Sequence, residues 1–320
     1  YSYASLAAGI KASGKPDLAL IVSETPARAA GVFTSNKVVA APVTLTSGRL
    51  KRKGACQAIL VNSGNANACT GEQGLRDALR TGELVANALG LAEDLVAVSS
   101  TGVIGAPLPM EKFERHVPQL AGCLQAGQAA AVAEAIMTTD AFAKTAFAAG
   151  DGYTVLGVAK GAGMIHPNMA TMLAFVCTDA QVEAGFLDRT LRQAVERSFN
   201  SITVDGDTST NDLVLALANG ASGAPEICAG TAAGEAFARQ LEEVLIALAK
   251  MIVRDGEGAT KLVEIRVRGA VDDGEARQAA RSIATSSLVK TAFFGEDANW
   301  GRIIAAVGYS GAQVDPDRGE

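Results

Sequence analysis

The sequence predicts an α/β or α+β fold in which helices pack in layers on a central sheet. Short apolar segments of strand character are mixed with longer segments in which apolar residues recur at helical spacing. The two kinds of segment alternate irregularly, with no regular strand–helix–strand repeat. This pattern indicates a layered fold of mixed class.

Strand-like segments are predicted along the whole chain. They cover residues 18–23, 58–62, 95–99, 153–159, 171–178, 212–218 and 262–268. Helical periodicity is clearest at residues 72–89, 129–137, 181–199, 234–253 and 274–285, and a further helix is expected around residues 109–125. Within 181–199, Val182, Phe186, Leu191 and Val195 fall on one face, which predicts an amphipathic helix that packs on the sheet.

Composition bounds the function without defining it. The 320 residues are enough for a sizeable core in one large domain or two. A formal net charge of −6 argues against nucleic-acid binding, which depends on Lys and Arg contacts to phosphate. The one basic cluster, Lys51-Arg52-Lys53, is interpreted as a solvated turn. No apolar run reaches the roughly 18 residues of a membrane span, and the start of the chain lacks signal-peptide features, so we expect a cytoplasmic protein.

Cysteine and histidine usage is sparse. The five cysteines are widely spaced and never form a C-x-x-C motif, which fits a reducing compartment rather than a disulfide framework or zinc site. Of the two histidines, His116 is expected on a helix surface, and His166 precedes Pro167, which favours extended backbone. We therefore expect no metal site. The sequence also lacks the glycine motifs of nucleotide-binding loops, which argues against nucleotide binding.

The Ala170-Thr171 bond is the most informative local feature. A glycine-rich approach that begins at Lys160 ends at Thr171, which opens an apolar run of strand character. One interpretation is that Thr171 is simply a β-branched residue at the start of a strand. The other is self-processing: the Thr171 hydroxyl attacks the preceding carbonyl, and cleavage leaves a threonine with a free α-amine that can act as its base.

Motifs on both sides of this bond resemble, in order, those of the ornithine acetyltransferase family, also called glutamate N-acetyltransferases. Before the bond they are GIK (9–11), DLAL (17–20), AGVFT (30–34), AAPV (40–43), VNSGNANA (61–68), STGVIG (100–105) and MTTD (137–140). The segment 160–180 resembles the cleavage signature itself. After it come SITVDGDTSTND (201–212), DGEGATK (255–261) and NWGRI (299–303), so the resemblance covers essentially the whole chain.

The resemblance implies a layered α/β/β/α architecture, similar to that of N-terminal-nucleophile hydrolases but of distinct topology. It also implies self-cleavage between Ala170 and Thr171 into subunits 1–170 and 171–320. The two subunits would remain packed as an alpha–beta heterodimer and assemble further, as a heterotetramer.

Specific site residues follow from the same resemblance. Thr171 would be the nucleophile for cleavage and for acetyl transfer, with Thr101 and Gly102 forming the oxyanion hole. The matching substrate-binding positions are Thr138, Thr139, Lys160, Thr171 and Glu257. Each has an ordinary structural interpretation as well: Ser-Thr-Gly is a common turn, a lone lysine is usually solvated, and Glu257 lies beside Gly256, which suits a helix C-terminal loop. Asn65 and Asn67 are interpreted as turn residues.

The activity implied is transfer of the acetyl group of N2-acetylornithine to glutamate through an acetylated threonine, in arginine biosynthesis. No cofactor or metal is expected, and whether acetyl-CoA also serves as a donor stays open. Two alternatives remain: a self-cleaved amidohydrolase or aminopeptidase of related architecture, and a non-catalytic binding or scaffold protein. Family members usually continue past the NWGRI motif with a tail that adds an asparagine and a threonine to the pocket. We expect that tail to be missing from this sequence.

Overall fold

The fold is built on one eight-stranded sheet, seen in a computed structural model that describes residues 1–166 and 172–315. The strands are β1 (Ser2–Leu6), β2 (Leu18–Phe33), β3 (Ala55–Asn65), β4 (Val96–Val103), β5 (Lys144–Ala149), β6 (Thr154–Lys160), β7 (Leu173–Thr178) and β8 (Leu213–Ala218). Their order across the sheet is β4-β3-β2-β8-β7-β6-β5, with β1 also paired to β2.

The helices are α1 (Ala41–Lys53), α2 (Gly71–Leu89), α3 (Met110–Gly122), α4 (Ala129–Ala135), α5 (Ala184–Arg197), α6 (Ala232–Arg254), α7 (Asp273–Thr285), α8 (Ser287–Phe294) and α9 (Trp300–Gly308). Side chains cap several of them: Glu183 accepts from two backbone N–H groups of α5, and Thr231 accepts from Gly234 N of α6. Within the described residues, no helix combines the length and apolar character needed to span a membrane.

The long strand β2 joins two halves of the sheet. Its first part, Leu18 to Val22, pairs antiparallel with β1 and β3, whereas its last part, Arg28 to Phe33, pairs antiparallel with β8. The register with β3 is irregular between Val22 and Ala27. One half of the sheet therefore contains β1, β3 and β4, and the other contains β5 to β8.

Apolar packing divides the molecule into four layers. Leu18 and Leu20 of β2 pack in a cluster with α2 and α3, while the alternate residues Ala19 and Ile21 belong to the middle cluster. That middle cluster also contains inward-facing residues of β6, β7 and β8, so the two halves of the sheet pack against each other. Helices α5 and α6 cover the far half. The predicted layered α/β/β/α class is confirmed.

The structure corrects two predictions. Residues 262–268 alternate in the manner of a strand but form none, because they have no hydrogen-bonded neighbour strand in the described structure, and Leu262 and Val263 are exposed. The Lys51-Arg52-Lys53 cluster is the last turn of α1 rather than a loop turn, although it is solvated as expected. The predicted helices correspond to observed helices with shifted ends. The predicted strands from 18–23 through 212–218 likewise correspond to observed strands.

Candidate active site

The predicted site residues gather where β4, β6, β7 and β8 meet. Lys160 ends β6 and lies opposite Leu173 at the start of β7, and Leu173 in turn lies opposite Leu213 at the start of β8. The register therefore brings Lys160, Met172 and Asp212 to the same end of three neighbouring strands. The sheet also places this end beside Thr101 of β4, because the two halves face each other.

Lys160 is a buried cation with little compensation. Its side chain belongs to a residue only 3% exposed, and Nζ donates to Thr101 Oγ1 at 3.3 Å. In residues 1–166 and 172–315, no carboxylate oxygen lies within 4.0 Å of this Nζ. Burial lowers the pKa of Lys160, while Asp140, Asp212 and Glu257 act in the opposite direction from a greater distance. An anionic ligand would supply the missing partner.

Gly102 stands where only glycine fits. Its φ is +134°, and a Cβ placed on it would lie 2.3 Å from the carbonyl carbon of Gly64. The two glycines are register partners on the parallel strands β3 and β4. The close approach of these backbones fixes the Thr101-Gly102 segment next to Lys160, so that the Thr101 hydroxyl and the Lys160 ammonium are in contact.

The other predicted substrate-binding residues are tied to this point through Asp140. Its carboxylate accepts from Thr138 N at 2.9 Å and from Gly161 N at 2.6 Å. Thr139 Oγ1 donates to Glu257 Oε1 at 2.6 Å. The backbone of Glu257 is held as well, since its N–H donates to Ala162 O at 2.8 Å. The segments around 138–140, 160–163 and 257 thus form one connected network.

A buried ion cluster lies behind this network and was not predicted from the sequence. Lys144 Nζ is 2.7 Å from Asp140 Oδ1 and 2.5 Å from Asp255 Oδ2, and its side chain is fully buried. Burial alone would raise the pKa of Asp140, but Lys160 and Lys144 outweigh it and hold that pKa below its ordinary value. Asp140 and Asp255 do belong to the MTTD and DGEG motifs, which is the signal that sequence reasoning had available.

Asp212 is a second buried carboxyl that the sequence did not single out. It is 0% exposed, and its Oδ1 accepts from Met172 N at 2.9 Å. Burial raises the pKa of Asp212 well above its ordinary value. Ala170 and Thr171, the predicted cleavage pair, lie outside the described residues, so Met172 is the described residue nearest to the predicted nucleophile along the chain.

The remaining sequence interpretations concern residues outside this network. His116 Nδ1 donates to the carbonyl of Lys112 one helical turn away on α3, and His166 Nδ1 lies 3.2 Å from Thr203 Oγ1. Asn65 donates to Ala106 O and accepts from Asn67 N, and Asn67 donates to Gly74 O, so both have structural roles. Asn65 is the last residue of β3 rather than a turn residue. Neither histidine bonds to a predicted site residue within the described structure.

Comparison with known proteins shows the family of this chain. A model described as the ArgJ family matches residues 2–320. The arginine biosynthesis bifunctional protein ArgJ of Syntrophotalea carbinolica is 66% identical over 321 residues, covering 99% of this chain and 81% of that protein. The protein of the same name from Geobacter sulfurreducens is 56% identical over 324 residues, covering 100% of this chain and 82% of that protein. A crystal structure of ornithine acetyltransferase from Mycobacterium tuberculosis, complexed with ornithine, is 40% identical with a TM-score of 0.47, covering 52% of this chain and 90% of that chain.

Proposed function

The chain belongs to the ArgJ family, and from this premise we propose that it transfers the acetyl group of N2-acetylornithine to glutamate through an acetylated Thr171. It is an enzyme of arginine biosynthesis, a glutamate N-acetyltransferase of the bifunctional type. The observation that carries the proposed mechanism is the buried Lys160, which has no carboxylate oxygen within 4.0 Å among the described residues and lies beside Thr101 and Gly102, at the strand end next to Met172.

Thr171 serves as the nucleophile in the proposed reaction. Its hydroxyl oxygen forms a bond to the acetyl carbon of acetylornithine, the bond from that carbon to nitrogen breaks, and ornithine leaves. The amine of glutamate then attacks the acetyl-threonine ester and regenerates the hydroxyl. The free α-amine of Thr171, with a reference pKa of about 8, accepts the hydroxyl proton and returns a proton to the leaving amine.

Thr101 and Gly102 stabilise the negative charge on the acetyl oxygen in both half-reactions. The structure supports this role because both residues stand in a segment that the Gly64–Gly102 contact holds rigidly. Donors fixed before the reaction stabilise a tetrahedral intermediate without reorganising, and each is typically worth about a hundredfold or more in rate.

Lys160 binds the α-carboxylate that acetylornithine and glutamate share. Burial makes an unpaired ammonium costly, so an incoming carboxylate gains a strong charge-assisted hydrogen bond there. Glu257, which is hydrogen-bonded to Thr139 and Ala162, carries the opposite charge. Its carboxylate binds the side-chain ammonium of ornithine. Glutamate would need a different partner at that end.

Processing between Ala170 and Thr171 supplies the catalyst, giving subunits 1–170 and 171–320 in an alpha–beta heterodimer that assembles into a heterotetramer. The proposed chemistry uses no cofactor and no metal, and acetyl-CoA enters only as a second acetyl donor. We place the enzyme in the cytoplasm, which suits its five unpaired cysteines.

The test follows both products at once. Purified protein is incubated with acetylornithine, with and without glutamate, and ornithine and N-acetylglutamate are measured by mass spectrometry; acetyl-CoA with glutamate is assayed in parallel. We expect ornithine release to depend on glutamate under turnover and to match N-acetylglutamate formation. Intact mass should show cleavage of the 32.6 kDa chain and an acetyl group on the fragment that begins at Thr171.

Two variants serve as controls. Thr171→Ala should abolish both processing and transfer, whereas Thr171→Ser keeps a hydroxyl and should retain part of each. If ornithine is released at the same rate with and without glutamate and no N-acetylglutamate forms, the result would instead support the amidohydrolase alternative. A chain that stays whole and inert would support the non-catalytic one.

A further inference from the structure

Asp212 is a buried carboxyl whose two oxygens are used unequally. Oδ1 accepts the backbone N–H of Met172 at 2.9 Å, whereas Oδ2 has no hydrogen-bond partner in the described structure. The residue is 0% exposed and immediately precedes β8, whose neighbour β7 follows directly on Met172. A buried carboxylate oxygen without a donor is costly, so this arrangement needs a physical explanation.

We propose that Asp212 is a positioning residue for Thr171 and works as a neutral carboxylic acid. This inference rests on the proposed function, because it assigns Asp212 to the same acetyl-transfer site. Met172 N is separated from the Cα of Thr171 by a single carbonyl carbon, so the Asp212–Met172 hydrogen bond fixes the main chain that immediately follows the nucleophile. A displacement of about 1 Å at such a point commonly costs on the order of a hundredfold in rate.

The neutral form also leaves Lys160 available to substrate. Within the described residues, Lys160 on β6 is the charged group whose field acts on Asp212, and Asp140, Lys144 and Glu257 act on Lys160 from other segments. An ionised Asp212 would compete with the substrate carboxylate for the Lys160 ammonium. A protonated Asp212 does not, and the raised pKa of Asp212 agrees with this state.

The substitutions Asp212→Asn and Asp212→Ala separate the neutral from the ionised form. Asparagine matches a protonated carboxyl in shape and keeps an oxygen for Met172 N, so processing and transfer should stay within about threefold of wild type, with KM unchanged. Alanine removes the hydrogen bond and should slow both steps by about a hundredfold, mainly in kcat. An Asn variant as impaired as the Ala variant would overturn the neutral-acid role.

A second measurement does not depend on activity. The unfolded carboxyl titrates near pH 4, so a native state that keeps the proton loses stability as pH rises above that value. The urea midpoint of wild type should therefore fall relative to that of Asp212→Asn as the pH rises from about 4 toward the raised native pKa of Asp212. A constant difference across that range would show an ionised Asp212. Wild-type protein without transferase activity would reject the proposed function, while the pH comparison would still decide the protonation state.

Discussion

At the scale of single residues, the site depends on one buried cation, Lys160, that water does not solvate. Lys160 is buried, has a single hydroxyl acceptor at 3.3 Å and has no carboxylate within 4.0 Å in the described structure. Such a group is unfavourable for the empty protein and favourable for binding an anion. Burying the Lys160 charge lowers the stability of the empty protein, and the same unpaired charge favours binding of substrates that carry a carboxylate.

The substitution Lys160→Met tests this directly. Methionine fills similar space without charge, and loss of a charge-assisted hydrogen bond of about 1.5–3 kcal/mol should raise KM for acetylornithine and glutamate roughly tenfold or more. Steady-state kinetics with each substrate varied measure the effect. The matched control is Lys250→Met on the exposed face of α6, where both KM values should remain at wild type. Unchanged KM values in Lys160→Met would remove this residue from substrate binding.

Gly102 gives a second prediction at this scale. In Gly102→Ala the new Cβ would collide with the Gly64 backbone, at a φ of +134° that alanine rarely adopts. We expect a loss of about 1–3 kcal/mol in the free energy of unfolding and a fall of about a hundredfold in kcat. Gly122→Ala is the control, because a Cβ at that helical position meets nothing within 4 Å and should be neutral or slightly stabilising. Equal behaviour of the two variants would contradict the close-approach argument.

At the scale of elements, the Lys144–Asp140–Asp255 cluster connects the start of β5 with the loops that follow α4 and α6. These loops carry Thr138, Thr139 and Glu257, so the cluster sets the geometry of the proposed pocket. A buried ion pair is not by itself a large source of stability, but removing Asp140 takes one negative charge from a buried cluster and leaves Lys144 with Asp255 alone as its ion-pair partner among the described residues.

We expect Asp140→Asn to lower the free energy of unfolding by about 3–5 kcal/mol, measured by urea titration. Transfer should also be impaired, because Gly161 N and Thr138 N bind different carboxylate oxygens and asparagine keeps only one acceptor oxygen. Asp188→Asn provides the comparison: it breaks an exposed ion pair with Arg192 on α5 and should cost less than about 1 kcal/mol. If the two substitutions cost the same, the cluster is not the element that organises these loops.

The sequence predicts an element well when its apolar residues repeat at the spacing of that element. Helix α5 was predictable because one apolar face repeats along it. Strand β5 was not, since it is rich in alanine and Phe147 is 75% exposed. Residues 262–268 show strand alternation without a partner strand in the described structure. Among the site residues, the motifs identified Lys160 and Glu257. The roles of Asp212 and Lys144 depend on distant segments, because Asp212 meets Met172 through the β7–β8 pairing and Lys144 pairs with Asp255 far along the chain.

At the scale of the whole molecule, the proposed cleavage divides the sheet in an interleaved way. Strands β7 and β8 belong to residues 171–320, and they lie between β2 and β6, which belong to residues 1–170. The β2–β8 and β6–β7 pairings each run over six residue positions. The apolar cluster that α5 and α6 cover also contains residues of β6, so it joins helices of one fragment to a strand of the other. Separation of the fragments would break both pairings and so expose four strand edges, those of β2, β6, β7 and β8, together with a large apolar surface.

The two fragments should therefore remain one folded unit after processing. Processed protein is expected to elute in native size-exclusion chromatography at the same volume as the uncleaved Thr171→Ala variant, and to give two bands only on a denaturing gel. Both fragments should also unfold in a single urea transition, since each completes the sheet of the other. Elution of either fragment alone under native conditions, or two separate transitions, would show that 1–170 and 171–320 are independent domains and would contradict the interleaved sheet.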